Sequence, residues 1–174
     1  MKRIAFIALL VAVSPFAARA QETPSTEVSV GYSYLRIGGS GGTNQNGASA
    51  SVAFNLNNWV GAVGDFGGYH SSPSGIDFNN YTFLFGPRFS YRSSERAVPF
   101  AQVLLGGIHG TAGAFGFSSS GNAFAYSFGG GVDFRLSPRL AFRPQADYVG
   151  MHSNGSTTNC ARISAALVFR FGQR

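Results

Sequence analysis

Apolar and polar residues alternate along most of this 174-residue chain, and no window shows a sustained apolar stripe of helical period. The alternation predicts eight β-strands of roughly ten to thirteen residues, and about 9–11 residues suffice for a tilted strand to cross a bilayer. The predicted strands span 27–36, 47–56, 59–70, 79–91, 98–109, 122–135, 139–150 and 160–171. After Gln21 the chain lacks the ~18 continuous apolar residues of a spanning helix.

The predicted connections alternate in length. Long stretches rich in Gly, Ser and Asn occupy 37–46, 71–78, 110–121 and 151–159, whereas short turns occupy 57–58, 93–96 and 136–138. Long loops at one end and short turns at the other are typical of bacterial outer-membrane barrels. We therefore expect an all-β fold, an eight-stranded antiparallel up-and-down transmembrane β-barrel.

The two faces of each strand differ in character. In the predicted fourth, sixth, seventh and eighth strands, a row of large apolar residues opposes a row of small, polar and charged ones. An eight-stranded barrel is only just wide enough inside for side chains to fill it, or for one small ligand. The bulky rows are therefore expected to face lipid, sorted into aromatic belts at the two interfaces, with the charges inside.

Folding neighbouring strands about their connections predicts three pairs of charges inside the barrel. These structural lumen charge pairs are Asp65 with Arg88, Asp133 with Arg143, and Asp147 with Arg162. An unpaired charge in a narrow lumen would cost several kcal/mol, whereas a hydrogen-bonded pair roughly breaks even. The expected interior is thus a plug of side chains and not a pore. Pro87 and Pro144 each remove a ladder donor, which predicts β-bulges at these positions.

The first twenty residues have the pattern of a secretory signal peptide. Lys2 and Arg3 precede an apolar run at 4–13, and Ala18-Arg19-Ala20 forms an A-x-A cleavage site. The run is much shorter than the ~20 residues of a membrane anchor. We predict a signal peptide at 1–20, cleaved after Ala20, and a barrel domain at 21–174. Cleavage removes three of 13 basic residues, leaving 10 against 7 acids, so a nucleic-acid partner is not expected.

Composition excludes several other classes. Charged residues are only 11% and hydrophobic residues 44%, which excludes a disordered chain, and three Glu and one Lys exclude a coiled coil. Cys160 is the only cysteine, so an internal disulfide framework and a multi-cysteine metal site are also excluded, and its thiol is expected to be free and unreactive.

Candidate chemistry is sparse. His70, His109 and His152 fall at the long-loop ends of alternate strands, about 10 Å apart, too far to share a metal. The Gly-rich run at 38–42 lacks the following helix of a phosphate-binding loop. His152 and Ser153 are similar to the His and Ser of outer-membrane lipid A deacylases, but consecutive strand residues point to opposite faces. We expect no catalytic residue, metal or cofactor.

Four stretches, 59–69, 83–91, 129–134 and 167–171, resemble the small outer-membrane β-barrel family related to the OmpA-type transmembrane domain. The resemblance implies the fold and a location in the bacterial outer membrane. Phe169 and Phe171 look like the terminal-strand signal that the barrel-insertion machinery reads, although 172–174 follow them.

The most direct interpretation is a non-enzymatic envelope structural or surface-interaction protein. Its expected partners are outer-membrane lipid, the barrel-insertion machinery during assembly, and an unknown extracellular partner of the long loops. The alternatives are a periplasmic lipocalin-like ligand-binding barrel with its aromatic face inward, or a lipid-A-modifying outer-membrane enzyme. Outward-facing aromatic rows would exclude the lipocalin-like alternative.

Overall fold

The computed structural model describes residues 23–39, 42–73, 76–114, 117–153 and 155–173, so the predicted signal peptide at 1–20 lies outside the described residues. Eight strands follow one another: β1 (Pro24–Ile37), β2 (Asn44–Asn55), β3 (Val60–Ser71), β4 (Asp77–Ser90), β5 (Ala97–Ala114), β6 (Phe117–Ser137), β7 (Leu140–Ser153) and β8 (Ser156–Gln173). Within these ranges no helix is long and apolar enough to cross a membrane.

The strands form one closed antiparallel barrel in sequence order. Each strand pairs with its neighbours in the chain, and β1 pairs with β8 to close the sheet, with Glu27 opposite Arg170 and Val28 opposite Phe169. Closure means that no strand is left at a free edge of the sheet where neighbouring strands pair. The predicted eight-stranded up-and-down barrel is confirmed.

The predicted assignment of the two faces is also confirmed. Along β8, Arg162, Ser164, Ala166 and Val168 are buried, while the residues between them are exposed. The exposed side chains are large and apolar around the whole barrel, for example Phe83 on β4 and Phe128 on β6. Aromatic rings also pack on one another outside, as Phe128 and Tyr148 do with ring centres 4.7 Å apart.

Two of the predicted long loops are mostly strand. Residues 110–121 were expected as a loop, but β5 continues to Ala114 and β6 begins at Phe117. Residues 151–159 were also expected as a loop, but β7 continues to Ser153 and β8 begins at Ser156. Where both faces of a strand pair meet water, polar residues occupy both faces and the apolar alternation ends, although the backbone hydrogen bonds continue. The sequence pattern therefore placed the ends of these strands too early.

The bulges predicted at Pro87 and Pro144 are wrong. The β4–β5 register is the same on both sides of Pro87, with Phe85 opposite Leu105 and Arg88 opposite Gln102. Pro144 likewise lies opposite Ala165 in an unshifted β7–β8 ladder. Proline loses one donor, but its fixed φ suits an extended strand, so the register need not change. The register shift in the β6–β7 pairing lies instead between Arg135 and Ser137, beside the turn.

Buried apolar residues form two clusters in the interior. Leu35, Tyr69, Val149 and Cys160 form one buried cluster close to the loop ends of their strands. A second cluster lines β2 to β6 and consists of Ala53, Val63, Leu84, Leu104, Ile108 and Ala125. Met151 packs against both clusters and connects them. The ionic side chains lie on the same inward faces.

Candidate functional site: the lumen ion network

Nine ionic side chains from six strands and one turn meet inside the barrel. Period-two alternation aims each strand residue inward, while Arg92 reaches in from the β4–β5 turn. We call this set the lumen ion network, and it consists of Glu27, Asp65, Arg88, Arg92, Asp133, Arg143, Asp147, Arg162 and Arg170. No side chain in it is more than 10% exposed.

Glu27 is the centre of the part of the network nearest the turns. Its carboxylate oxygens lie 2.9 Å from Arg143 Nη2, 3.2 Å from Arg92 Nη2 and 3.8 Å from Arg88 Nη1. Asn55 Nδ2 also donates to Glu27 Oε1, at 3.2 Å. One buried carboxylate thus interacts with three guanidinium groups from three different elements.

Arg143 joins this centre to a second carboxylate. Its Nε and Nη2 donate to the two oxygens of Asp133, at 2.5 and 2.7 Å, a bidentate arrangement that suits the planar guanidinium. Arg170 Nη2 lies 3.5 Å from the same carboxylate. The Phe100 ring lies under both Arg88 and Arg143, with Cζ 4.5 and 4.8 Å from its centre, so cation–π attraction adds to the ion pairing.

A second group lies on neighbouring levels of the lumen and is centred on Arg162. Arg162 Nη1 donates to Asp65 Oδ1 at 2.6 Å, and Arg162 Nε donates to Asp147 Oδ2 at 2.9 Å. Gln145 Nε2 donates to the same Asp147 oxygen at 2.8 Å. Gln102 connects the two groups, because its Oε1 accepts from Arg88 Nε at 3.0 Å while its Nε2 lies 3.5 Å from Asp147 Oδ1.

The structure brings two of the three predicted charge pairs together. Asp133 contacts Arg143, and Asp147 contacts Arg162. The pairing of Asp65 with Arg88 is wrong: Asp65 contacts Arg162, and Arg88 contacts Glu27 and Gln102.

The error comes from the β3–β4 register. The prediction folded this hairpin about residue 76, whereas the structure sets Asp65 opposite Leu84 and places Arg88 opposite Gly61, nearer the turns. Because the hairpin centre was set too late in the chain, Asp65 and Arg88 were placed at the same level.

The predicted charge pairs did not include Glu27, Arg92 or Arg170. Glu27 lies in phase with the buried Ser29 and Ser33 of β1, so alternation could have placed it inside. Its partners could not be found in the same way. Arg143 is 116 positions away and reaches Glu27 across the lumen, a contact that no hairpin geometry predicts.

The three histidines stay apart, each bonded within its own hairpin. The Nδ1 atoms lie 2.8 Å from Asn79 for His70, 2.7 Å from Asn122 for His109, and 3.0 Å from Thr157 for His152. In the described part of the chain, no three His, Cys, Asp or Glu side chains form a group that could hold a metal ion.

The two terminal-strand aromatics face outward. Phe169 and Phe171 are exposed on β8, opposite Val28 and Thr26 of β1. Because β1 and β8 close the barrel, these rings lie at its seam. Recognition of these two residues by the barrel-insertion machinery stays a prediction.

A family model described as an outer membrane protein beta-barrel domain matches residues 4–171. A search of curated proteins finds no match. Among solved structures, Neisserial surface protein A (NspA) superposes with a TM-score of 0.74 at 14% identity, covering 84% of this chain and 97% of that chain. Ail, the attachment invasion locus protein of Yersinia pestis, superposes with a TM-score of 0.59 at 24% identity, and the match covers 84% of this chain and 99% of that chain. The outer membrane protein OprG from Pseudomonas aeruginosa superposes with a TM-score of 0.54 at 8% identity, and the match covers 87% of this chain and 97% of that chain.

Proposed function

This chain belongs to the outer membrane protein β-barrel domain family, and from that premise we propose that it is a non-enzymatic, non-conducting surface protein of the bacterial outer membrane. The filled lumen is the observation that supports this proposal. Charged side chains joined across the barrel and two clusters of buried apolar side chains fill the interior together. Such an interior supports the interpretation of a plugged lumen, and it directs the search for function to the outer surfaces.

The two alternatives fare differently. A periplasmic lipocalin-like carrier needs its aromatic rows inside to line a ligand cavity, but residues such as Phe83, Phe85 and Phe128 are exposed outside, so that alternative is wrong. For the lipid-A-modifying enzyme, His152 Nδ1 forms its hydrogen bond with Thr157 on β8, and no hydrogen bond joins His152 to Ser153 among the described residues. The geometry therefore favours a non-enzymatic role.

The loop end offers a surface for a partner. β6 pairs with β7 only up to Phe124, which faces His152, whereas β5 and β6 pair on to Ala114 and Phe117. Residues 117–123 thus extend beyond β7 with one edge unpaired in the described structure, over about 20 Å at the rise of a β-strand. Ser119, Ser120 and Asn122 are exposed there, and no charge or proline blocks the edge. We propose that an extended segment of an extracellular partner adds to this edge as a further strand.

The charge at the loop end bears on the choice of partner. Ail has also been solved in complex with the heparin analogue sucrose octasulfate. In the present chain only Arg36 among the described arginines lies at the loop end, and its Nη1 donates to Asn44. A cluster of basic residues for a polyanion is not found among the described loop-end residues. The proposed partner therefore binds through backbone and neutral polar groups.

Conductance measurements test the sealed lumen. The refolded protein in planar bilayers should show no stepwise currents above the bare membrane. The triple variant Asp65→Ala, Asp147→Ala and Arg162→Ala removes one ion-paired group without leaving a lone charge, and it should produce ion-sized current steps. Glu95→Ala, in an exposed turn, is the control and should stay silent. Regular current steps from the unaltered protein would contradict the proposal.

Hydrogen exchange tests the edge. Amide groups of 119–123 that point away from β5 should exchange much faster than amides of β6 below Phe124, because only the latter are bonded on both sides. Equal protection along all of β6 would show that the edge is already covered.

A further inference from the structure

The lumen ion network has an uneven distribution of charge. We call its members nearest the turns the turn-end layer, and they are Glu27, Arg88, Arg92, Asp133, Arg143 and Arg170. Four arginines and two carboxylates give this layer a formal charge of +2 among the described residues. The group around Arg162, with two aspartates, has −1. Burying uncompensated cations is costly, so the turn-end layer requires further negative charge or water.

Several guanidinium nitrogens in this layer are buried without a hydrogen-bond partner in the described structure. They are Arg88 Nη1, Arg92 Nε, and both Nε and Nη2 of Arg170. The three side chains are 2%, 8% and 10% exposed, so bulk water does not satisfy these donors. An unsatisfied charged donor in such a place loses its hydration without compensation.

These donors belong to neighbouring side chains. Arg88 and Arg92 both contact the Glu27 carboxylate, and Arg170 lies beside Asp133. Arg143 connects the two carboxylates through its own hydrogen bonds. The unpartnered groups are therefore grouped around one pair of linked carboxylates.

Two of the three arginines lie at the turn end of the lumen. Arg92 lies just after the end of β4 and Arg170 near the end of β8, and both keep some exposure. Arg96 and Arg139 in the turns, and Arg135 near the end of β6, are exposed at the same end. In barrels of this kind the short turns face the periplasm. Exposed cations around a mouth raise the local concentration of anions there.

We propose that Arg92 and Arg170, with Arg88 beneath them, bind one phosphate group at the periplasmic mouth of the lumen. Phosphate presents several acceptor oxygens to planar guanidinium groups, and its negative charge offsets the surplus of the turn-end layer. The group belongs either to free phosphate or to the headgroup of an anionic phospholipid in the facing leaflet. The inference does not depend on whether the loop end binds a partner.

The test uses the refolded protein in a maltoside detergent, which contains no phosphate. Sodium phosphate is titrated against sodium chloride of equal ionic strength, with the melting temperature and the ³¹P line width as readouts. Phosphate should raise the melting temperature beyond chloride and broaden the ³¹P signal. The double variant Arg92→Gln and Arg170→Gln should bind more than about tenfold more weakly, because each substitution removes a charge-assisted hydrogen bond to the phosphate.

The control is Arg96→Gln with Arg139→Gln, which removes the same charge from the exposed turns. This variant should keep the phosphate effect, with only a modest loss from weaker attraction. Heat-modifiable gel mobility verifies that both variants are folded. If the control loses binding as fully as the site variant, or if phosphate and chloride act alike on the unaltered protein, the proposal is wrong.

Nanodiscs distinguish the two sources of phosphate. In phosphatidylcholine discs the unaltered protein should respond to added phosphate. If anionic headgroups occupy the site, phosphatidylglycerol discs should abolish that response and stabilise the unaltered protein relative to the site variant. If free phosphate is the ligand, the response should be the same in both discs. No response in either disc would overturn the proposal.

Discussion

The outer and inner faces of the same strand behave oppositely in this protein. On β8, Arg162 is 2% exposed while the next residue, Ile163, is 61% exposed. On β6, Asp133 is 3% exposed and Phe134 is 45% exposed. In a water-soluble barrel the two environments would be exchanged. The comparison shows that the same alternation specifies a barrel in either solvent, and that the size of the aromatic row against the narrow lumen decides which face turns inward.

Removing the central carboxylate should have the largest effect on stability. Glu27→Ala leaves Arg88, Arg92 and Arg143 with a missing partner, and breaking a buried ion pair costs about 3–5 kcal/mol. Urea unfolding in lipid vesicles measures this loss. Glu95→Ala, which removes an exposed carboxylate from a turn, should change stability by less than about 0.5 kcal/mol. Equal effects of the two substitutions would mean that the inner charges are not buried as described.

Placing a cation on the outer face should have the next largest effect. Val132 precedes the inward Asp133 on β6, and it lies in the same outward row as Phe128. Val132→Arg should impair assembly, because a cation facing lipid near the midplane costs about 2–4 kcal/mol, and less towards the interface. Val132→Leu is the matched control and should assemble normally. Assembly is followed by heat-modifiable mobility, and normal assembly of the Arg variant would contradict the assignment of the faces.

Removing one methyl group from either face should have the smallest effect on stability. Ile108 is 4% exposed in the apolar cluster, so Ile108→Val leaves a void and should cost about 0.5–1.5 kcal/mol. Ile163→Val on the outer face should cost less, because acyl chains can fill the space. The two free energies of unfolding are compared in the same vesicles. A larger loss for Ile163→Val would show that the outer face is the packed one.

The fold was largely predictable because it follows from local patterns. The eight strands and the orientation of their faces could be predicted from alternating residues such as Arg162 and Ile163, since a strand places consecutive side chains on opposite faces. The strand ends were less predictable. In 110–114 and 117–121 the alternation that defines a strand disappears from the sequence although the β5–β6 ladder continues.

The ion network was predictable only within hairpins. The Asp147–Arg162 and Asp133–Arg143 contacts join neighbouring strands, so the turns between them bring these residues to one level. Asp65 instead reaches Arg162 from β3, 97 positions away in the chain. Contacts of this kind depend on the curvature and closure of the barrel, which no pair of strands determines.

Quenching of one tryptophan by lipid tests the account most directly. Trp59 is the only tryptophan, so Trp59→Phe gives a background for two matched changes, Phe128→Trp on the outer face and Phe100→Trp in the lumen. In vesicles whose acyl chains carry bromine, the fluorescence of the Phe128→Trp protein should be strongly quenched, and that of the Phe100→Trp protein should be nearly unchanged. Strong quenching at position 100 with none at position 128 would contradict the account.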